Sequence, residues 1–233
     1  MLTNKELLAK ISNELDELLE DVVFVGSITL EYLIDEKIKK AIYLRTTEDV
    51  DIVIQVSTKK GFYDFLEKLQ QKGFGEDIQS PTICTMKKGE LKIDIMPTKQ
   101  EILGFTNRWY AKRVKNTKKI KLDNGKTINI LKAPFFLASK IEAFFSRGIK
   151  DPFLSKDLED IVDLINGREA IVQDVILSND LELVNFLSDK INQMLEDEKI
   201  YEAISGHFYG QEARFVVVIE RMKRIVEIGK TYD

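Results

Sequence analysis

Apolar and polar positions repeat along this chain with two different periods, and the switches between them map its elements. Leu7, Leu8, Ile11, Leu15, Leu18 and Leu19 recur at helical spacing, and Thr3 or Asn4 can cap the start. The pattern predicts an amphipathic helix from there to about Glu20. Val22 to Val25 reads as a buried strand, and Ser27 to Lys39 as a helix. Val50 to Val56 predicts a strand, and Lys59 to Lys72 a helix ended by Gly73. Thr82 to Lys87 and Leu91 to Met96 flank Lys88-Gly89-Glu90, a hairpin signal with glycine in the turn. Lys119 to Leu122 and Thr127 to Leu131 flank Asp123-Asn124-Gly125-Lys126, a second hairpin signal. Strands of mixed direction with intervening helices make an α/β (α+β) sheet domain over residues 1–131.

Beyond that point the period is helical almost throughout. From Ala133 to Lys230 helix follows helix, with breaks at Gly148–Pro152, Gly167, Ser178–Asp180 and Ser205–Gly210. A helical domain over residues 132–233 is expected, packed on the sheet domain as the other wall of its cleft. The chain shows no internal repeat and no low-complexity segment.

Composition narrows the classes. The 233 residues are 44% hydrophobic and 32% charged, enough for a sizeable core. A formal net charge of −4 argues against broad, non-specific nucleic-acid binding. One local exception stands out: Arg108, Lys112, Arg113, Lys115, Lys118, Lys119 and Lys121, with Trp109 and Tyr110 interleaved. It reads either as a solvated linker and strand edge or as a phosphate- or RNA-contacting surface, since such surfaces mix cations with stacking aromatics. Cys84 is the only cysteine, so no intrachain disulfide can form, and it reads as a buried structural thiol. Met1 to Glu20 lacks the basic end and apolar core of a secretory signal, and no apolar run reaches membrane-spanning length. A cytoplasmic location with no membrane partner is expected.

The candidate chemistry lies in three aspartates. Phe24-Val25-Gly26-Ser27 ends an apolar run and opens a helical pattern, and Arg45-Thr46-Thr47-Glu48-Asp49-Val50-Asp51 leads into Ile52-Val53-Ile54. Asp49 and Asp51 alternate on one strand, so they project to the same face. Asp94 interrupts a second apolar strand, between Ile93 and Ile95. If the two strands are neighbours, three carboxylates converge. Like charges so placed repel unless a cation holds them, and oxygen-only ligands favour a hard one, Mg²⁺ before Zn²⁺. A metal on carboxylates beside a Gly-Ser turn suits a nucleoside triphosphate. Asp157 and Asp160 share a helix face and read as an acidic stripe or as partners for Lys140 and Arg147. His207, the sole histidine, sits in Ser-Gly-His-Phe-Tyr-Gly and reads as a loop residue rather than a base.

Gly-Ser, then Asp-x-Asp on a strand, then a lone Asp on a later strand resembles the DNA polymerase β-type nucleotidyltransferase superfamily. Arg45-x-Thr47-x-Asp49-Val50-Asp51 resembles more narrowly its AbiEii-like branch, which includes toxin-like enzymes of bacterial toxin–antitoxin systems. Ala133-Pro134, Ser139-Lys140-Ile141-Glu142-Ala143, Ser146-Arg147 and Lys156-Asp157-Leu158-Glu159-Asp160-Ile161 resemble that branch's later series on two helices. The resemblance spans roughly residues 22–167. Ser27 stands where many members have a second glycine, and the spacing from Gly26 to Asp49 is longer than the superfamily's commonest. Residues 168–233 carry no resemblance.

The resemblance implies a nucleotidyltransferase that moves a nucleoside monophosphate from an NTP to a hydroxyl acceptor, with two Mg²⁺ ions as cofactors. Asp49, Asp51 and Asp94 would be the metal-binding and catalytic residues, with Asp94 also helping to deprotonate the acceptor. Gly26, Ser27, Arg45 and Lys140 would bind the nucleotide. The acceptor stays open between tRNA, a protein and a small molecule, and membership of the toxin branch would add a cognate antitoxin as partner. The alternative is a non-catalytic nucleotide-binding or protein-interaction module that keeps the same fold.

Overall fold

A computed structural model describes residues 2–39, 42, 44–54, 56, 58–80, 84–104, 106–110 and 116–231. The chain forms two compact units, Met1–Thr29 with Arg45–Lys132, and Leu30–Leu44 with Ala133–Asp233. No helix among the described residues is long and apolar enough to cross a membrane.

The first unit is built on a mixed sheet of seven strands. They are β1 Val22–Val25, β2 Asp49–Ile54, β3 Gly75–Glu76, β4 Thr85–Lys88, β5 Leu91–Pro97, β6 Thr117–Lys121 and β7 Thr127–Leu131, in the order β3-β4-β5-β2-β1-β7-β6. β2 is antiparallel to β1 and parallel to β5, and β1 is parallel to β7. Alternation sorts the side chains of the two central strands. Val50, Ile52 and Ile54 of β2 and Ile93, Ile95 and Pro97 of β5 are buried, whereas Asp49, Asp51, Lys92 and Asp94 are exposed or half-buried. Asp49, Asp51 and Asp94 therefore leave the sheet on its polar face.

Helix α1, Asn4–Leu15, begins with a capping box in which the Thr3 hydroxyl accepts from the Glu6 N–H and the Glu6 carboxylate accepts from the Thr3 N–H. The single helix expected to about Glu20 is interrupted. Asp16 turns to φ 47°, and Asp16–Glu20 continues as a 3₁₀ helix. The predicted apolar face survives this break, with Leu7, Leu8, Ile11, Leu15, Leu18 and Leu19 all buried. The strand expected from Thr82 to Lys87 is observed as β4 from Thr85, and Thr82 lies outside the described residues.

The helix expected from Ser27 to Lys39 is replaced by a 3₁₀ helix, Ser27–Tyr32, and a short α2, Glu36–Lys39. Tertiary partners take the backbone groups between them. The Asp35 N–H donates to the Gly167 carbonyl at 2.9 Å, the Asp35 carboxylate accepts the Glu169 N–H at 2.8 Å, and the Arg168 guanidinium donates to the Leu33 carbonyl at 3.1 Å. Ile34 lies so close to Gly167 that a Cβ there would stand 2.6 Å from it. These contacts explain why Leu30–Leu44 is counted with the helices.

The remaining helices of the second unit are α5 Ala133–Ala143, α6 Lys156–Gly167, α7 Ile171–Leu177, α8 Leu181–Glu196, α9 Glu198–His207 and α10 Glu212–Lys230; the sheet unit holds α3 Lys59–Gln71 and α4 Gln100–Leu103. A π-helical turn, Phe144–Gly148, follows α5. The expected breaks near Gly148–Pro152, Gly167 and Ser178–Asp180 are present; a further one, between α8 and α9, falls at Asp197, whose carboxylate caps α9 by accepting from the Ile200 N–H. α8 and α10 approach closely at Gly229, where a Cβ would stand 2.2 Å from that of Ser188, and the Ser188 hydroxyl donates to the Val226 carbonyl.

Candidate active site

The candidate site starts at the end of β1. Gly26 takes φ +73°, a left-handed conformation that costs other residues about 1–2 kcal/mol. It is needed for space as well: a Cβ on Gly26 would lie 2.1 Å from Oδ2 of Asp51. Val25 and Asp51 are register partners across β1 and β2, so the Asp51 carboxylate folds directly over the glycine. Ser27 then opens the 3₁₀ turn, in which the Thr29 N–H and hydroxyl both donate to the Gly26 carbonyl.

Arg45 donates from its guanidinium to the Ser27 hydroxyl, so the two residues read from distant stretches of sequence meet. Asn4 sets the backbone that carries them: its side-chain NH₂ donates to the Arg45 carbonyl at 3.0 Å, and its side-chain oxygen accepts the Thr47 N–H at 3.1 Å. Thr47 in turn donates its hydroxyl to Oδ1 of Asp49 at 2.6 Å. The Arg-x-Thr-x-Asp spacing thus has a structural sense, with Thr47 holding one oxygen of the first aspartate.

Asp94 is the register partner of Asp51 across the parallel β2–β5 pair and of Thr85 across the antiparallel β4–β5 pair. The Thr85 hydroxyl donates to Oδ1 of Asp94 at 2.5 Å, and Ser80 and Thr85 share a hydroxyl–hydroxyl hydrogen bond of 2.7 Å. Burial pushes the Asp94 carboxyl above the ordinary range, and the nearby charge of Asp49 adds to it, against the Thr85 hydroxyl and Lys92, which lower it. Asp49 and Asp94 therefore feel one another. Among the described residues, however, no three acidic, histidine or cysteine side chains stand close enough to form a ready-made metal centre. The expected convergence is one of face and register, with one oxygen of Asp49 held by Thr47 and one oxygen of Asp94 held by Thr85.

The other expected site residues lie as follows. Lys140 is buried on α5, with its ammonium 2.6 Å from Asp160 and 3.3 Å from Asp157, both on α6. Arg147 grips Asp157 through Nε at 2.7 Å and Nη2 at 3.0 Å. Of the two readings of Asp157 and Asp160, ion-pair partners is therefore the observed one, and an exposed stripe is not. Trp109 is fully buried, with the Arg108 guanidinium 5.0 Å from its ring centroid, so it cannot be the surface stacking platform of the basic segment. Lys112, Arg113 and Lys115 of that segment lie outside the described residues. Cys84 is buried, as expected, 3.7 Å from the Met96 sulfur.

His207 is the last residue of α9 rather than a loop residue, and its Nε2 lies 2.9 Å from Oδ1 of the buried Asp163 on α6. The hydrogen bond to Asp163 raises the imidazole above its ordinary value; burial opposes this, and the charges of Asp163 and Glu159 add to it. A raised value means that the folded state favours the protonated ring. Its contribution to stability is then complete below the unfolded value of about 6.5 and is lost as pH climbs through the raised value. His207→Gln should destabilise the protein most below pH about 6.5, and the gap to the parent should shrink at alkaline pH. Urea melts of both proteins across pH check this, and a gap independent of pH would refute it.

Asn4, Thr85 and Ser80 were not expected at this site. No family model and no curated protein matches the chain.

Proposed function

We propose that this chain is a Mg²⁺-dependent nucleotidyltransferase of the DNA polymerase β type, moving a nucleoside monophosphate from an NTP to a hydroxyl acceptor, and that it resembles the AbiEii-like branch in particular. The observation that carries the reading is the register Asp51↔Asp94, which sets Asp49, Asp51 and Asp94 on one sheet face beside the Gly26–Ser27 turn. Fold class alone would not carry it, because function resides in the site.

The donor chemistry of these residues suits a hard divalent cation. Every donor is a carboxylate or hydroxyl oxygen, and the charge of Asp49 acting on Asp94 is a negative potential that favours a cation. Asp49, Asp51 and Asp94 would hold the ions, in the number of two that the resemblance implies. Bound there, Mg²⁺ would draw charge from the triphosphate and from the attacking oxygen.

The chain's own groups supply the rest. Ser27 offers a hydroxyl, and Arg45 a planar fork of donors that matches phosphate oxygens. The two already touch one another, and a triphosphate would be gripped by both. Asp94, whose carboxyl burial pushes upward, would take the acceptor proton. The acceptor stays open between tRNA, a protein and a small molecule, and a cognate antitoxin remains the partner expected of a toxin-branch member.

The test is transfer of label. Purified protein is incubated with Mg²⁺, each of the four α-phosphate-labelled NTPs and a cell extract. Covalent labelling of an RNA, protein or small-molecule fraction, with pyrophosphate released, supports the reading. No labelling, together with no Mg²⁺-dependent NTP binding by calorimetry, would overturn it in favour of a non-catalytic module.

A further inference from the structure

Building on the proposed metal-dependent transfer, we propose that Thr85, backed by Ser80, is a positioning residue that fixes the Asp94 carboxylate for cation binding. Three observations carry this. Thr85 and Asp94 are directly opposed in the antiparallel β4–β5 register, the arrangement in which facing side chains come closest. Thr85 is buried, 7% exposed, so its hydroxyl is shielded from competing water. It stands 2.5 Å from Oδ1 of Asp94 and 2.7 Å from the Ser80 hydroxyl.

Proton counting gives the pair a direction. A threonine hydroxyl has one proton to give, and an ionised carboxylate can only accept. The Thr85 proton therefore goes to Asp94, and the Ser80 proton goes to the Thr85 oxygen. Each bond polarises the next, so Ser80 strengthens the grip of Thr85 on Asp94. With Oδ1 engaged by Thr85, Oδ2 of Asp94 would be the oxygen left to hold a cation. Groups that orient a metal ligand in this way typically change metal affinity or activity by about 10–100-fold when removed.

The experiment measures Mn²⁺ affinity by electron paramagnetic resonance, with no nucleotide or turnover required. Thr85→Val keeps the branched shape that strands favour and removes the hydroxyl, while Thr85→Ser keeps the hydroxyl and removes the methyl. Thermal unfolding of each variant checks that it is folded. Mn²⁺ binding weaker by about 10–100-fold in Thr85→Val, restored in Thr85→Ser and weakened less in Ser80→Ala, is the expected result. If Thr85→Val binds like the parent, or if Thr85→Ser is as weak as Thr85→Val, the hydroxyl does not position Asp94 and the proposal falls. Should Thr85→Val fail to fold, Ser80→Ala decides: affinity equal to the parent's overturns the relay. A parent protein that binds no Mn²⁺ would sink the underlying transferase reading as well, so the two failures are told apart.

Discussion

Asp51→Asn should reduce nucleotidyl transfer by about 10³-fold or more and abolish Mg²⁺-dependent triphosphate binding. Asp51 is singled out because it is the register partner of Asp94 on one side and of Val25 on the other, and its Oδ2 packs over Gly26. It is the one carboxylate of the three that reaches both halves of the proposed site. Asparagine keeps the shape and the hydrogen-bonding oxygen but removes the charge. Charge stabilisation by a bound cation is worth several kcal/mol, and about 4 kcal/mol corresponds to a factor of about 10³. Asp94→Asn should differ, losing transfer more than binding, if Asp94 takes the acceptor proton. Initial rates and calorimetric titrations on the two variants measure this. Parent-like transfer by Asp51→Asn would remove the carboxylate frame from the mechanism.

That frame was legible because it rests on the shortest-range rule of all, the period of two along a strand. Once Asp49 and Asp51 are on one strand and Asp94 on another, only adjacency and parity remain to be decided, and the parallel β2–β5 pair supplies both. Thr85 was equally within reach and was missed by one residue. Taking Lys88-Gly89-Glu90 as a three-residue turn pairs Lys87 with Leu91, which sets Cys84 opposite Asp94. The turn has two residues, Gly89 and Glu90, with Gly89 at φ +59°, so Lys88 pairs with Leu91 and Thr85 with Asp94. A one-residue slip moves every side chain to the other face.

Other features had no local signal. Asn4 clamps the Arg45–Thr47 backbone from more than 40 positions away, and in the sequence it shows only as a helix-capping residue. Ser27–Lys39 has helical periodicity, yet Asp35 gives its N–H to Gly167, 132 residues on, and the helix is divided. Local propensity loses there to tertiary hydrogen bonds.

Lys140→Met should destabilise the protein by about 3–5 kcal/mol, the opposite of what a lysine facing a phosphate cleft would do. On that expectation, removing the side chain would weaken nucleotide affinity and leave the melting temperature nearly unchanged. The structure gives the ammonium other work. It lies 2.6 Å from Asp160 and 3.3 Å from Asp157, and the side chains are only 10%, 1% and 6% exposed for Lys140, Asp160 and Asp157. Burial pushes the Asp157 carboxyl upward, but Arg147 and Lys140 together hold it below the ordinary range, so it stays ionised. Replacing such a network with apolar residues of similar volume is often neutral, but deleting one partner leaves buried charge uncompensated. With the lysine gone, Asp160 and Asp157 lose the ammonium between them, and Arg147, largely exposed, grips Asp157 alone. A loss of that size in a protein of this length lowers the melting temperature by roughly 10 °C. The triple variant Lys140→Met, Asp157→Asn, Asp160→Asn should recover most of the loss, because the two carboxylates that faced the ammonium leave with it. Urea and thermal melts of the single and triple variants measure both effects. A single variant within about 1 kcal/mol of the parent would show that water or a neighbouring group already neutralises these carboxylates, and would return Lys140 to the list of residues available for phosphate.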